Sequence, residues 1–449
     1  MKNIIIFLLI LTFSSSYVIA QDEEEEVRKP KRVGLAIAEV AASNILIWSF
    51  NRYIREDNYS FMIGWRTVEM NLRHGFEWDP NNFSTNFFAH PYHGSTYFNA
   101  ARTNGLNYWE SIPFAFAGSM MWEIYMESEF PSYNDLIATT WGGVALGEAL
   151  YRFSEQVLDD RSRGLERVGR ETAGFLINPV GAFNRLIKGD MFRHTSNVNH
   201  MRHSIDGYLA LGGRGRLTGS DLGDTEFSPS LEMTLHYGQP FKSKENRKPF
   251  DYFTFRFWTS KRDTVRNMTI LARAVMIGKD IQGKNGQNHL VGIFQYFDYI
   301  NLEAFKIGAI SFGGALLSKF PLGKDFELIT GPSGAGVLLG AGDNEYVTSY
   351  QGRNYNYGHG FKGKLDLLVR HPKFGELFAD YNYFSFYTRE GAPGVDRLHV
   401  LNASYLIRIW RSLGVGLEYF YYHRNANYDN DPDVKREIKG LRALIAYHF

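Results

Sequence analysis

From about Ile205 to the C-terminus the hydrophobic period is two, and little but a β architecture accommodates such a run. Alternation sets successive side chains on opposite faces of an extended strand. In Tyr252-Phe253-Thr254-Phe255-Arg256-Phe257, Thr254 and Arg256 share one face and the three Phe take the other. Leu365 to Arg370 and Leu401 to Ile409 alternate in the same way. Leu413, Val415, Leu417, Tyr419 and Tyr421 lie together, opposite Glu418. The chain closes with Leu441, Ala443, Ile445, Tyr447 and Phe449 on one face and Arg442 and His448 on the other.

These segments run about ten residues each, the length and pattern of transmembrane β-strands. Polar turns such as Gly283-Lys284-Asn285-Gly286 and Asn427-Tyr428-Asp429-Asn430 divide them. About twelve strands are expected. A soluble β-sandwich shows the same alternation, because it too buries one apolar face. Three features favour the barrel. The chain begins with an export signal. Aromatics make up 16% of it, with 35 Phe and 27 Tyr, which suits the girdles of a lipid-facing barrel. The terminal Phe449 resembles the C-terminal signature of bacterial outer-membrane proteins.

Lys2 supplies a positive n-region, Ile4 to Phe13 an apolar core, and Val18-Ile19-Ala20 a small-residue cleavage site. This is the pattern of a secretory signal peptide, and the mature chain is expected to begin at Gln21. The acidic run Asp22 to Glu26 then reads as a solvated leader. A formal net charge of +1 over 449 residues argues against a nucleic-acid protein. The absence of cysteine excludes disulfides, thiolate metal sites and cysteine catalysis.

The stretch before the strands is helical. Leu35 to Phe50 is its most apolar part, but Glu39, Ser43 and Asn44 interrupt it, and it falls short of the roughly 20 residues a membrane span requires. Phe61 to Arg73 is a second expected helix, and Glu77 to Phe88 a loop turning at Asp79-Pro80-Asn81-Asn82. Pro91 disfavours helix at His90, which leaves Ser95 as the cap of a helix over Tyr97 to Arg102, ended by Asn104-Gly105. The next helix runs from Trp109 to Glu127, and its Gly118-Ser119 permits close approach. Glu123 and Glu127 share one face at its end. Pro131 stops it, and Ser132 caps a further helix with Asp135 at its third position, extending to about Phe153. Glycine costs about 1 kcal/mol in a helix interior, so Gly142, Gly143 and Gly147 predict a tight helix–helix contact. The expected organisation is a signal peptide over 1–20, a leader over 21–34, a helical domain over 35–190, a linker over 191–204 and the barrel over 205–449. The fold class is α+β: an N-terminal helical domain followed by a C-terminal antiparallel transmembrane β-barrel.

Within the helical stretch a set of motifs resembles the DUF3943 family, a bacterial domain of unknown function. They are His90-Pro91-Tyr92, Gly94, Tyr97-Phe98-Asn99-Ala100-Ala101-Arg102, Glu110-Ser111, Gly118-Ser119, Trp122-Glu123, Pro131-Ser132, Asn134-Asp135 and Gly142-Gly143. The resemblance spans about residues 40–190 and implies an envelope protein without an assigned activity. A shorter likeness, through Glu123 or Glu127, Asp135, Gly143 and Gly147, is to VanZ-like membrane proteins.

His90, Glu123, Glu127 and Asp135 are the candidate catalytic residues, because two carboxylates and an imidazole can perform acid–base work on a lipid ester or phosphodiester. The plainer expectations are a loop-fixing hydrogen bond for His90, a solvated helix end for Glu123 and Glu127, and capping for Ser132 with Asp135. Candidate ligand-binding residues are Tyr92, Asn99, Arg102, Glu110, Ser119 and Glu148, with Arg102 and Arg152 available to neutralise carboxylates. No serine, Ser95 and Ser111 included, sits in a nucleophile elbow. His194, His200 and His203 lie in a polar stretch that reads as a linker and not as a metal site. Gly331 to Gly336 lacks the lysine of a phosphate loop. No metal or cofactor is expected.

The expected location is the outer membrane of a Gram-negative-type bacterium, with the helices in the periplasm or in the barrel lumen and outer-membrane lipid as the partner. The expected role is non-catalytic: binding or passage of lipid or a small molecule, or scaffolding of the membrane. The alternative is an outer-membrane lipid hydrolase. Convergence of His90, Glu123 and Asp135 within hydrogen-bond reach, beside a lipid-facing opening, would favour the hydrolase, and neutralisation of each by an arginine or a helix terminus would favour the scaffold.

Overall fold

A computed structural model of the protein describes residues 30–54, 62–196, 203–216, 227–242, 246–262, 265–302, 305–349 and 352–449. The expected signal peptide, the acidic run Asp22 to Glu26, Phe61 and His200 lie outside them. The chain divides into two compact units, Met1–Ser204 and Ile205–Phe449.

The first unit is helical. Its helices are Val33–Tyr53, Trp65–His74, His90–Thr103, Tyr108–Tyr125, Tyr133–Ile137, Gly143–Val157, Gly164–Ile177 and Pro179–Ile187. π-Helical turns at Thr85–Ala89 and Ala138–Gly142 lead into the third and the sixth. Two expectations are corrected. The first helix is 21 residues long and passes the length and composition test for a membrane span, although Glu39 and Asn44 are buried on one side of it. The His90 helix begins at His90 itself, which is αR with φ −63° and ψ −47°. Pro91 sits in the first turn, where its missing N–H would have had no helical acceptor anyway. Ser95 is therefore interior to the helix, and its hydroxyl donates to the Tyr92 carbonyl at 2.6 Å.

The predicted close contact falls where the His90 helix meets the π-turn and the Gly143 helix. A Cβ on Gly94 would lie 1.7 Å from the Thr139 carbonyl oxygen, and one on Gly143 would lie 2.5 Å from the Gly94 carbonyl carbon. Gly147 packs on Phe98, and Gly118 on the Tyr97 ring. Small residues thus bring backbones together around a polar interior. The outside of the unit is apolar at many points: Leu46, Tyr53, Trp65, Leu72, Leu165 and Phe192 are all exposed.

The second unit is one antiparallel sheet of thirteen strand segments. In chain order they are Ile205–Arg216, Phe227–Tyr237, Phe253–Arg262, Val265–Gln282, Asn288–Asn301, Lys306–Pro321, Glu327–Thr330, Ser333–Asp343, Tyr355–His371, Gly375–Glu390, Gly394–Trp410, Leu413–Tyr428 and Val434–His448. Glu327–Thr330 and Ser333–Asp343 both lie between Lys306–Pro321 and Tyr355–His371. They form one stave broken at Gly331-Pro332, since proline cannot donate to the ladder. Thirteen segments with two in one stave make a barrel of twelve. It closes where the first strand pairs with the last, Tyr208 opposite His448 and Arg214 opposite Arg442. The terminal Phe449 takes part: its N–H donates to the Gly207 carbonyl at 3.1 Å and its carbonyl accepts from the Gly207 N–H at 3.4 Å.

Alternation puts Leu413, Val415, Leu417, Leu441 and Ile445 on the outer wall, exposed. Glu418, Phe420, Arg424 and Arg442 point inward and are buried. Further round, Ile277, Ile293, Leu316 and Leu377 continue the exposed apolar belt. Tyr381, Tyr383, His399 and His423 form a row of outward rings across neighbouring strands.

Ion pairs cross the lumen. Arg256 reaches Asp380, half the circumference away, at 3.0 Å, and also pairs with Glu232 and Glu418. Arg442 meets Glu418 at 2.8 Å, Arg273 meets Asp366 at 2.6 Å, and Lys362 meets Asp298 at 2.6 Å. An apolar layer including Trp258, Ile300, Phe384, Val400 and Phe420 fills space between them. Side chains from opposite walls therefore occupy the barrel interior.

Candidate functional site

The helical unit gathers carboxylates and histidines from four separate segments. Asp79 comes from the turn before the π-helical entry, His90 from the start of its helix, Glu123 and Glu127 from the end of the Tyr108 helix, and Asp135 from the short Tyr133 helix. Backbone pairing explains how distant segments meet. The Glu77 N–H donates to the Pro131 carbonyl at 2.8 Å, and the Tyr133 N–H donates to the Glu77 carbonyl at 2.9 Å. This docks the Asp79 turn against the Tyr133 helix. Asn134 fastens the pair: its Oδ1 accepts from the Asp79 N–H at 2.9 Å, and its Nδ2 donates to Asp135 Oδ1 at 2.8 Å.

His90 Nε2 lies 3.5 Å from Asp135 Oδ1. Its Nδ1 lies 3.2 Å from the Thr139 hydroxyl, at the tight glycine crossing. The donor atoms of Asp79, His90 and Asp135 all lie within 4.8 Å of one another. Burial of both aspartates, and the Asp135 charge beside Asp79, favour one proton shared by the pair. Ser132 joins Glu123 to the group. Its N–H donates to Glu123 Oε2 at 2.8 Å, and its hydroxyl, beside Asp135, donates to the Phe130 carbonyl at 3.4 Å. The expected side-chain cap by Ser132 is absent; the N–H of that serine serves Glu123 instead. The expected solvated helix end is also corrected. Glu123 is 0% exposed and Glu127 is half-buried, with Trp122 Nε1 donating to Glu127 Oε2 at 3.2 Å. Asn71, from the Trp65 helix, turns the chain end inward by donating to the carbonyls of Ile124 and Glu127.

Electrostatics here are unfavourable to charge. Burial and then the neighbouring Asp135 charge raise Asp79 to about 8, against a lowering pull from His90. Burial raises Asp135 to about 7. Burial and then Glu127 and Asp135 push Glu123 well above the carboxylate range, and burial and then Asp135 do the same to Glu127. Both glutamates also stand at a helix C-terminus, whose dipole disfavours anions. Burial holds His90 neutral, lowering it against the pull of Asp79. Beside this group His93 Nε2 lies 2.6 Å from the Tyr97 hydroxyl, which bonds Asn44, and the His93 ring meets Trp122 edge-on. Burial lowers His93 to about 3.

The contrast with the rest of the unit is sharp. Glu148 is fully buried but receives Arg102 Nε at 2.7 Å, Arg102 Nη2 at 3.1 Å and Arg152 Nε at 2.8 Å. Asp160 and Glu171 are held by Arg167 and Arg185. No arginine or lysine forms an ion pair with Glu123, Glu127 or Asp135 among the described residues.

The remaining candidates do not join the cluster. Arg102 and Glu148 are a structural pair. Glu110 caps its helix with Asn107 and meets Lys31 at 2.6 Å. Tyr92 is exposed, while Asn99 and Ser119 are buried, each with a polar side-chain atom lacking a hydrogen-bond partner. His194 accepts from Arg163 Nε at 2.9 Å, and the His203 backbone N–H donates to Gln156 Oε1 at 3.1 Å. Sequence reasoning passed over Asp79, His93 and Asn134. Asp-Pro-Asn-Asn reads as an ordinary turn, and no local signal announces that its aspartate is buried.

No curated protein matches the chain. Solved structures similar to the barrel include the outer membrane protein OmpT of Vibrio cholerae, at 9% identity and a TM-score of 0.22 over 55% of this chain and 99% of that one. The outer membrane channel DcaP of Acinetobacter baumannii aligns at 9% identity and a TM-score of 0.23 over 55% and 96%. The toluene transporter TodX of Pseudomonas putida aligns at 10% and 0.22 over 55% and 90%. The barrel assignment rests on the strand pairing itself. Residues 75–180, which contain every member of the carboxylate–histidine cluster, match the DUF3943 model, and the chain thus carries this domain of unknown function in its helical unit.

Proposed function

We propose that this is an outer-membrane protein in which a filled barrel is the anchor and the helical unit carries the chemistry, acid–base hydrolysis of an ester or phosphodiester of an envelope lipid. The membrane location is supported by the apolar outer wall of the closed barrel, the row of outward rings, and the sequence signs of export. The filled lumen speaks against passage through the barrel.

One observation carries the catalytic reading. Buried Glu148, Asp160 and Glu171 are paired with arginine and Glu39 is held by the Asn104 and Asn184 amides, whereas Glu123 and Asp135 converge with Asp79 and His90 without an arginine or lysine pair. Burying acids in this way costs stability unless the site uses them. Two aspartates with values near 7 and 8 can hold and release one proton at neutral pH. The protonated partner supplies the leaving-group proton, and the ionised one, beside neutral His90, accepts a proton from the attacking water. The apolar exterior of the helical unit suits a lipid substrate.

The test incubates detergent-folded protein with its own outer-membrane lipids and reads them by mass spectrometry, beside His90→Ala and Glu123→Ala. A lipid species changed by the wild type and unchanged by both variants is expected. The second reading, lipid binding or scaffolding without catalysis, is favoured by the exposed apolar faces of both units. Unchanged lipids with one lipid co-purifying in stoichiometric amount would establish it instead.

A further inference from the structure

We propose that Asp79, His90 and Asp135 bind one divalent transition cation, of the Zn²⁺ or Mn²⁺ class, with Glu123 nearby as the base for a metal-bound water. The inference rests on the reading of this cluster as a working site and names what that site holds.

Donor geometry is the first support. The three donor atoms lie within 4.8 Å of one another. Donors at about 2.0–2.3 Å from a shared ion lie at most about 4.6 Å apart, so a small inward adjustment suffices to place all three on one ion. Chemistry is the second. One imidazole with carboxylates suits Zn²⁺ or Mn²⁺, whereas Mg²⁺ and Ca²⁺ prefer an all-oxygen shell. The Thr139 hydroxyl, 3.2 Å from His90 Nδ1, can accept the proton there and leave Nε2, the nitrogen facing Asp135, free to coordinate. Metal-binding histidines are commonly oriented by such an outer hydrogen bond. Asn134 similarly fixes Asp135 and the Asp79 backbone.

A third observation is independent of the triad. Glu123 is fully buried, and its Oε1 has no hydrogen-bond partner while Oε2 is held by the Ser132 N–H. The charges acting on Glu123 are those of Glu127, Asp135 and Asp79, all of one sign. A cation held by the triad replaces the proton the aspartates share; a water on it can donate to Glu123 Oε1, and the acid–base roles of the aspartates then pass to that water and Glu123. Half-buried Glu127 and Glu129 continue the negative field toward the surface and would draw a cation inward.

The test is calorimetric titration of full-length, detergent-folded, chelator-stripped protein with Zn²⁺ and, separately, with Mn²⁺. The expected result is one ion per chain, with affinity reduced at least about 100-fold in Asp135→Asn and in His90→Gln, since loss of even an outer partner costs about 10–100-fold. Glu110→Gln, on the same unit but outside the cluster, should bind as the wild type does. Far-UV circular dichroism of each variant separates loss of a ligand from loss of fold. No stoichiometric binding by the wild type, or equal binding by folded Asp135→Asn, overturns the proposal. The two readings fail separately. Ion binding without lipid turnover leaves the metal site standing and removes the hydrolase. Turnover by stripped protein that binds neither ion does the reverse.

Discussion

Two buried glutamates of the helical unit have opposite fates on substitution. Glu148 sits between Arg102 and Arg152, and Arg102 supplies two of the three hydrogen bonds they give it. Arg102→Met leaves Glu148 with Arg152 alone and should cost about 1–3 kcal/mol by chemical denaturation, as leaving buried acceptors unsatisfied does. Glu123 has like charges around it, and Gln closely imitates its protonated form. Glu123→Gln in chelator-stripped protein should stay within about 1 kcal/mol of the wild type or exceed it, because it removes an unfavourable charge without leaving a new unpaired one. A large loss in Glu123→Gln would mean the glutamate is a structural pair member after all. His93 provides the pH dependence. Its unfolded value is about 6.5, and burial lowers it to about 3 in the folded protein. Between these values the unfolded chain binds the extra proton, so stability contributed by neutral His93 is present above about 6.5 and lost as pH falls toward 3. Denaturation midpoints at pH 7, 5 and 4 should decline less steeply in His93→Gln; parallel curves would assign the acid sensitivity elsewhere.

At the scale of elements, the site depends on a backbone contact made of glycines. Thr139, which orients His90, lies at the crossing where Gly94 meets the π-turn and Gly143. A methyl on Gly94 would collide with the Thr139 carbonyl, which is backbone and cannot swing away. Gly94→Ala should therefore cost at least the upper end of the roughly 1–3 kcal/mol typical of overpacking, seen as a lowered melting temperature of the helical unit. Gly169, exposed to open space, is the control, and Gly169→Ala should be neutral or stabilising. The glycine spacing made this contact legible beforehand. The helix start did not follow from the sequence rule, because Pro91 lies in the first turn, where proline is tolerated. The serine cap also failed, since the Ser132 N–H is taken by Glu123 and its hydroxyl turns to the Phe130 carbonyl.

At the scale of the whole molecule, two units with apolar exteriors differ in what fills them. The barrel wall is apolar outside and the lumen is crossed by arginine and lysine pairs. Ile445, outward on the last strand, tests the lipid-facing assignment. Ile445→Lys should destabilise the barrel folded into vesicles by about 2–4 kcal/mol if it sits near the bilayer midplane and by about 0–1 near its edge. No penalty in vesicles would place that wall outside the lipid.

What the sequence alone determined was the barrel: about twelve staves and their inward and outward faces follow from a period of two, which is a local property read residue by residue. It also marked the helices and the tight glycine crossing, for the same reason. Only the tertiary structure decided which ionisable groups are neutralised and which are left together. Arg102 and Glu148 are 46 residues apart, and Asp79 reaches Asp135 through a strand-like bridge between Glu77 and Ser132. Pairing of buried charge is settled by three-dimensional neighbours, and no pattern within a single segment encodes it.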